Sequence, residues 1–173
     1  MNKNNSVTLV FVTYYSHKHV YRLCKSLSSK FKIIIIENSL DKSLKIKIEK
    51  KYKNVKIIIP HKNLGIAASY NIGIKETKSK YVYLNCPDMS ITNNSLNELI
   101  KCADKLKNFG LIAPNYVDTK IYNNYVGEKK NINKKNKIHH FYKLSEANFI
   151  DNSFFLRTSK AKIYLFDENF FLY

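Results

Sequence analysis

The residues best suited to chemistry concentrate between Asn63 and Asp88, in the stretch NLGIAASYNIGIKETKSKYVYLNCPD. It opens on Asn63-Leu64-Gly65 and a small-residue run, Ile66-Ala67-Ala68-Ser69, that suits a helix start and leads to Asn71-Ile72-Gly73. An apolar strand-like run, Tyr81 to Leu84, follows and ends in Asn85-Cys86-Pro87-Asp88. Open α/β sheets bind ligands just outside the carboxyl ends of their strands, so a carboxylate at that point is placed for ligand chemistry. Asp88 offers hard oxygen donors that suit Mg²⁺ or Mn²⁺. Gly65 lets backbone pass close to a ligand. Asn63 and Asn71 carry amides that serve either sugar hydroxyls or the capping of loop and helix backbone. Loop, helix, strand and acidic tip, in that order, describe a site for a nucleoside diphosphate and its metal ion.

The elements that must hold this site alternate through the first half of the chain. Val7 to Thr13 reads as a buried strand, followed by a helix over Lys18 to Ser29 with Val20, Leu23, Cys24 and Leu27 on one face. Lys32 to Ile36 is a second strand, and Asp41 to Tyr52 an amphipathic helix carrying Leu44, Ile48 and Tyr52. Val55 to Ile59 is a third strand, stopped by Pro60; helix Gly65 to Thr77 and strand Lys80 to Leu84 come next. Leu96, Leu99, Ile100, Ala103 and Leu106 then recur at helical spacing over Ser95 to Lys107, with Ser95 and Glu98 expected to form a capping box. Continuous apolar strands alternating with helices predict an α/β fold, a mostly parallel sheet with helices on both faces. Beyond Gly110, strands are expected at Leu111 to Tyr116 and in FIDNSFFLR, separated by the basic block 127–140, which reads as a surface loop.

At 173 residues the chain fits one domain with a real core. No apolar run approaches the length of a membrane span. The start, MNKNNSVTLVFV, enters directly into a strand and lacks a cleavage site, which argues against a signal peptide. Three cysteines (Cys24, Cys86, Cys102) without metal-ligand spacing point to reduced thiols and a cytoplasmic location. His17 and His19 flank the first helix and His139 and His140 end the basic block; neither pair has metal-site character. The net charge of +17 does not imply nucleic-acid binding. Of 30 basic residues 28 are lysine, and Lys, Asn, Ile, Tyr and Phe supply 92 of 173 positions, the mark of an A/T-rich genome rather than of selection for a basic surface. No nucleic-acid-binding motif accompanies the charge. Attraction to anionic headgroups, and with it peripheral association at the inner face of the plasma membrane, remains compatible with it.

Four stretches, VTLVFVTYYS, IIIIENS, NLGIAASYNIGI with YVYLNCPD, and LFDENFFLY, together resemble a family 2 glycosyltransferase of the GT-A fold, in the rhamnosyltransferase-like branch. The resemblance implies transfer of a hexosyl group from a UDP- or dTDP-sugar to a glycan or lipid-linked acceptor hydroxyl, with inversion, in cell-surface polysaccharide biosynthesis. It implies that Thr13 and Tyr14 border the nucleotide base, and that Glu37 and Asn38, standing where the family has Asp-Asn, contact base or ribose. Asn63, Gly65 and Asn71 match the family's Asn-x-Gly and following Asn, although Tyr70 stands where many relatives carry Arg. The family's Asp-x-Asp metal element survives here only as Asp88, after Cys86 and Pro87, while Asn85 is placed for sugar or ribose. Asp167 and Glu168 match an acceptor-side segment. The family's general base follows that segment, so it is expected beyond Tyr173, with a C-terminal part of the domain missing from this chain. Two alternatives stay open: a sugar-1-phosphate nucleotidyltransferase, whose Gly-rich loop YYSHKHVYR lacks, and a non-catalytic nucleotide-binding or basic binding module.

Overall fold

The structure, a computed structural model, describes residues 6–106, 108–114 and 153–171, together with the backbone of 138–139 and 144–145. The chain runs β1 (Val7–Thr13), α1 (His17–Leu27), β2 (Lys32–Glu37), α2 (Lys42–Lys51), β3 (Val55–Ile58), α3 (Gly65–Glu76), β4 (Tyr81–Asn85) and α4 (Asn93–Lys105). Short elements follow: β5 (Leu111–Ile112), β6 (Ile138–His139), β7 (Leu144–Ser145), β8 (Phe154–Arg157) and α5 (Thr158–Ala161).

Six strands form one sheet in the order β3-β2-β1-β4-β8-β5. β3, β2, β1 and β4 are parallel, with Val10 of β1 opposite Ile34 of β2 and Leu84 of β4, as the continuous apolar runs VTLVFVT and KIIIIE require of strands buried on both faces. The sheet is mixed rather than wholly parallel, because β8 runs antiparallel to both β4 and β5. From β1 the chain steps outward through β2 and β3, then returns to place β4 on the other side of β1. The strand order therefore reverses between β1 and β4, and the crevice outside their carboxyl ends is where such sheets take ligands.

Helices cover both faces. Alternation puts Leu9, Phe11, Ile33, Ile35 and Tyr83 on one side, packed by Val20, Leu23 and Leu27 of α1, Leu44 and Ile48 of α2, and Leu96 and Ile100 of α4. Val10, Val12, Ile34, Ile36, Val82 and Leu84 point the other way, onto Tyr70 and Ile74 of α3 and Ala161 of α5. Gly73 lets α3 approach the sheet: a Cβ there would lie 2.2 Å from Val10 Cγ1. Among the described residues no helix is long and apolar enough to cross a membrane.

Several expected boundaries move. α4 starts at Asn93, with Thr92 as its cap: the Thr92 hydroxyl accepts from the Ser95 amide at 3.0 Å. Ser95 thus lies inside the helix and Glu98 pairs with Lys101 at 2.6 Å, so the expected capping box at these two residues is shifted one turn upstream. The strand expected at Leu111 to Tyr116 is only Leu111–Ile112 within the described residues, and the one expected in FIDNSFFLR is Phe154–Arg157. Of the basic block 127–140, Ile138–His139 form β6, paired antiparallel with β7; the rest, with Tyr173, lies outside the described residues.

Two stability outcomes follow from these contacts. Gly73→Ala is expected to cost about 1–3 kcal/mol by overpacking α3 against β1, read as a lower urea midpoint; an unchanged midpoint would contradict the close approach. Thr92→Ala should lose about 1 kcal/mol while Glu98→Ala stays within about 0.5, the reverse of what a Ser95–Glu98 box would give.

Candidate active site

The carboxyl ends of β1 and β2 are joined through a buried carboxylate. Thr13 Oγ1 donates to Glu37 Oε2 at 2.5 Å, the other oxygen, Oε1, accepts from the Ser39 amide at 2.9 Å and from the Ser39 hydroxyl, and the Asn38 amide donates to Thr13 O at 2.8 Å. Glu37 has no exposed surface and Thr13 almost none. Protein donors satisfy the charge, as burial demands, and the residue stands behind the strand tips rather than on their surface. What this brace presents outward is the turn Tyr14-Tyr15-Ser16. Tyr15 sits at φ 49°, and the two tyrosine rings meet edge to face at 4.6 Å, both more than half exposed. Beside them His17 Nε2 lies 3.1 Å from Asp41, the cap of α2, whose carboxyl is held below its usual range by amide donation from Leu44 and Ser43. Cap stabilisation of this kind is present above the unfolded carboxylate pKa and is lost as pH falls through the lowered folded value.

Asn38, also buried, reaches from β2 to the start of α3. Its amide nitrogen donates to Ser69 Oγ at 3.0 Å, and its oxygen accepts from the same hydroxyl at 3.1 Å. Asn63 Oδ1 accepts from the Gly65 amide at 2.9 Å, which closes a local turn that Gly65 completes at φ 72°. The loop-capping role of Asn63 is thus visible in the geometry.

Asn71 performs a longer connection. It accepts from the Phe166 amide and donates to the Phe166 carbonyl, both at 2.9 Å, a strand-like pairing between a side chain and a segment 95 positions away. The same amide donates to Glu168 Oε1 at 2.9 Å, so α3 holds the acceptor-side carboxylate that sequence singles out. Asp167 is engaged differently: it accepts from the Asn169 backbone and side chain, both at 2.9 Å, in an exposed turn.

At the tip of β4, Asn85 Oδ1 accepts from the Cys86 amide at 2.9 Å and from Ser153 Oγ at 2.8 Å, tying β4 to the residue that leads into β8. Arg22 of α1 donates through Nη2 to the carbonyls of Pro87 at 3.1 Å and Asp88 at 2.8 Å. The backbone around Asp88 is fixed, while its carboxylate is exposed and has no hydrogen-bond or ion-pair partner among the described residues. Tyr70, in the position of the relatives' Arg, is buried with its hydroxyl 4.0 Å from Cys86 Sγ and its ring 5.8 Å from Phe166. Burial above all, with Cys86 and Asp88 adding to it, raises its pKa well above the usual value and keeps the phenol neutral.

Of the nine residues expected to touch a nucleotide sugar, Tyr14, Asn63 and Asp88 reach the surface, whereas Thr13, Glu37, Asn38, Gly65, Asn71 and Asn85 are buried. The buried polar ones hold the strand tips and loops in place. Sequence reasoning missed Arg22, although it is one of only two arginines among 28 lysines, a chemical exception that marks a fixed, forked donor. No three His, Cys, Asp or Glu side chains cluster as a complete metal site among the described residues. A cation here would take one protein carboxylate, which suits Mg²⁺ or Mn²⁺ completed by phosphate oxygens and water.

The sequence matches the Glycosyl transferase family 2 profile over residues 8–167. No curated relative matches. S. aureus TarS 1-349 is similar in structure, with a TM-score of 0.68 at 16% identity, over 96% of this chain and 52% of that one. The same protein solved with UDP superposes at a TM-score of 0.65 and 18% identity, over 95% and 51% of the two chains. The mannosyltransferase PcManGT from Pyrobaculum calidifontis, solved with GDP-Man and Mn²⁺, gives 0.51 at 12% identity, over 66% and 36%. These likenesses show a shared GT-A-type α/β fold, and the chain spans about half the length of TarS 1-349. With the family profile matched along nearly its whole length, the chain belongs to glycosyl transferase family 2.

Proposed function

We propose that the chain is the donor-binding part of an inverting glycosyltransferase that moves a hexosyl group from a UDP- or dTDP-sugar to a glycan or lipid-linked hydroxyl. The pathway we assign is cell-surface polysaccharide assembly, with the protein at the cytoplasmic side of the membrane. One observation carries the reading: Asp88 presents a carboxylate with no partner among the described residues at the switch point between β1 and β4, on backbone that Arg22 holds still.

Each part of the edge has a task in that reading. The exposed rings of Tyr14 and Tyr15 offer a face for the nucleotide base, set at the right depth by the Thr13–Glu37 brace. Gly65 and the Asn63 turn bring the amino end of α3 near the diphosphate, where the helix dipole favours an anion. Asp88 would hold Mg²⁺ or Mn²⁺. When bound, the cation neutralises charge that builds on the departing nucleoside diphosphate. Glu168, through Asn71, orders the acceptor side relative to the donor side. UDP in TarS and GDP-Man with Mn²⁺ in PcManGT support a nucleotide-sugar donor for this fold relative.

Calorimetry with UDP and with dTDP tests the reading. Metal-dependent binding heat should appear with Mg²⁺ or Mn²⁺ and be lost in EDTA, and Asp88→Ala should weaken that metal-dependent affinity at least about tenfold. Heat that is indifferent to both EDTA and Asp88→Ala would refute the assignment.

A further inference from the structure

The opposite, amino-terminal edge of the sheet carries a second polar site. On the face covered by α3, the strands present Val10, Ile34 and Ile58 to the helix. Two residues earlier on the same face stand Thr8, Lys32 and Lys56, since strand side chains alternate with period two. Register makes them neighbours: Thr8 pairs with Lys32, and Lys56 with Ile34. α3 stops at Glu76 and leaves this end of the face open as a cleft of about 320 Å³, whose walls include Lys53, Glu76 and Lys78.

The cleft is unbalanced in charge. Four lysines against one glutamate give its lining +3. Glu76 is engaged by Lys56 at 2.6 Å, which lowers its pKa, while Lys32, Lys53 and Lys78 form no ion pair or hydrogen bond with any described residue. The carbonyl end of α3 offsets only roughly half an elementary charge. An A/T-rich genome scatters lysines over solvated helix faces. It does not account for lysines at neighbouring positions of a sheet face otherwise built from Val and Ile.

We propose that this cleft binds a phosphoryl-bearing anion, at a site separate from the donor edge. Like charges gathered in a concave wall repel one another, and a multiply charged anion of diphosphate size relieves that repulsion and fits the volume. The anion can come from a phospholipid headgroup or from a soluble phosphate.

The test uses inorganic pyrophosphate by calorimetry in EDTA, which silences a cation-dependent donor site, and co-sedimentation with phosphatidylglycerol vesicles against phosphatidylcholine ones. At least one anionic probe should bind, and K32Q/K78Q should weaken it about tenfold or more. K42Q/K47Q, which removes the same charge from exposed positions of α2, should change it less than about twofold. Binding of pyrophosphate alone supports a soluble phosphate, and binding of vesicles alone supports a headgroup. If neither probe binds, or if both double variants lose affinity equally, the cleft is not a site.

Discussion

A single buried carboxylate governs the ligand-facing edge of this fold. An ionised Glu37 without exposed surface would cost roughly several kcal/mol if left bare. The Thr13 hydroxyl and the Ser39 amide and hydroxyl meet that demand, and in doing so they lock the tips of β1 and β2 to one another. From there the constraint passes to other elements. Asn38, next to Glu37, grips Ser69 at the start of α3; Asn71, half a turn further along that helix, grips Phe166 and Glu168. The tips of β1 and β2, helix α3 and the segment from Phe166 to Glu168 are thereby connected through buried amides and a buried acid. Networks of this kind fix geometry because any partly satisfied member is costly.

The two arginines extend the same logic to the far side of the sheet. Arg22 donates to the carbonyls of Pro87 and Asp88 at the end of β4. Arg157 donates to Leu106 O at 2.8 Å, after the end of α4, and lies 4.7 Å over the Phe109 ring. Both serve where the backbone needs a rigid, permanently charged donor, a task that flexible lysine performs poorly. In a chain so rich in lysine, the retained arginines mark fixed structure, whereas the lysines mostly mark solvent.

Much of this architecture was legible in the residue pattern. β1 to β4 and α1 to α4 follow from runs of Ile and Val and from helical spacing such as Leu96-Leu99-Ile100-Ala103, because burial selects those periods directly. The place of Asp88 was legible too: Pro87 breaks the apolar run, and the carboxylate stands exposed just past the end of β4. Other features were not. Strand direction leaves no trace in FFLR, so the antiparallel β8 could not be told from a parallel strand. Ser95 and Glu98 fit a cap as well as Thr92 does, and only the backbone turn at Thr92 decides between them. An asparagine amide serves sugar and peptide equally, and the partner of Asn71 lies too far along the chain for spacing to reveal it. Glu37 at a strand end reads as a surface acid; its burial depends on Ser39 folding back over it.

The central claim is that the edge held by Glu37, Arg22 and Asn71 receives a nucleotide sugar and its cation. Hydrogen–deuterium exchange with and without a UDP-sugar and Mg²⁺ addresses it most directly, because protection reports location rather than affinity. The account predicts metal-dependent slowing of exchange in the Tyr14–Ser16 turn, at Asn38-Ser39, at Leu64-Gly65 and around Cys86 to Met89. Protection confined to the amino-terminal edge, or none at saturating donor and metal, would contradict it.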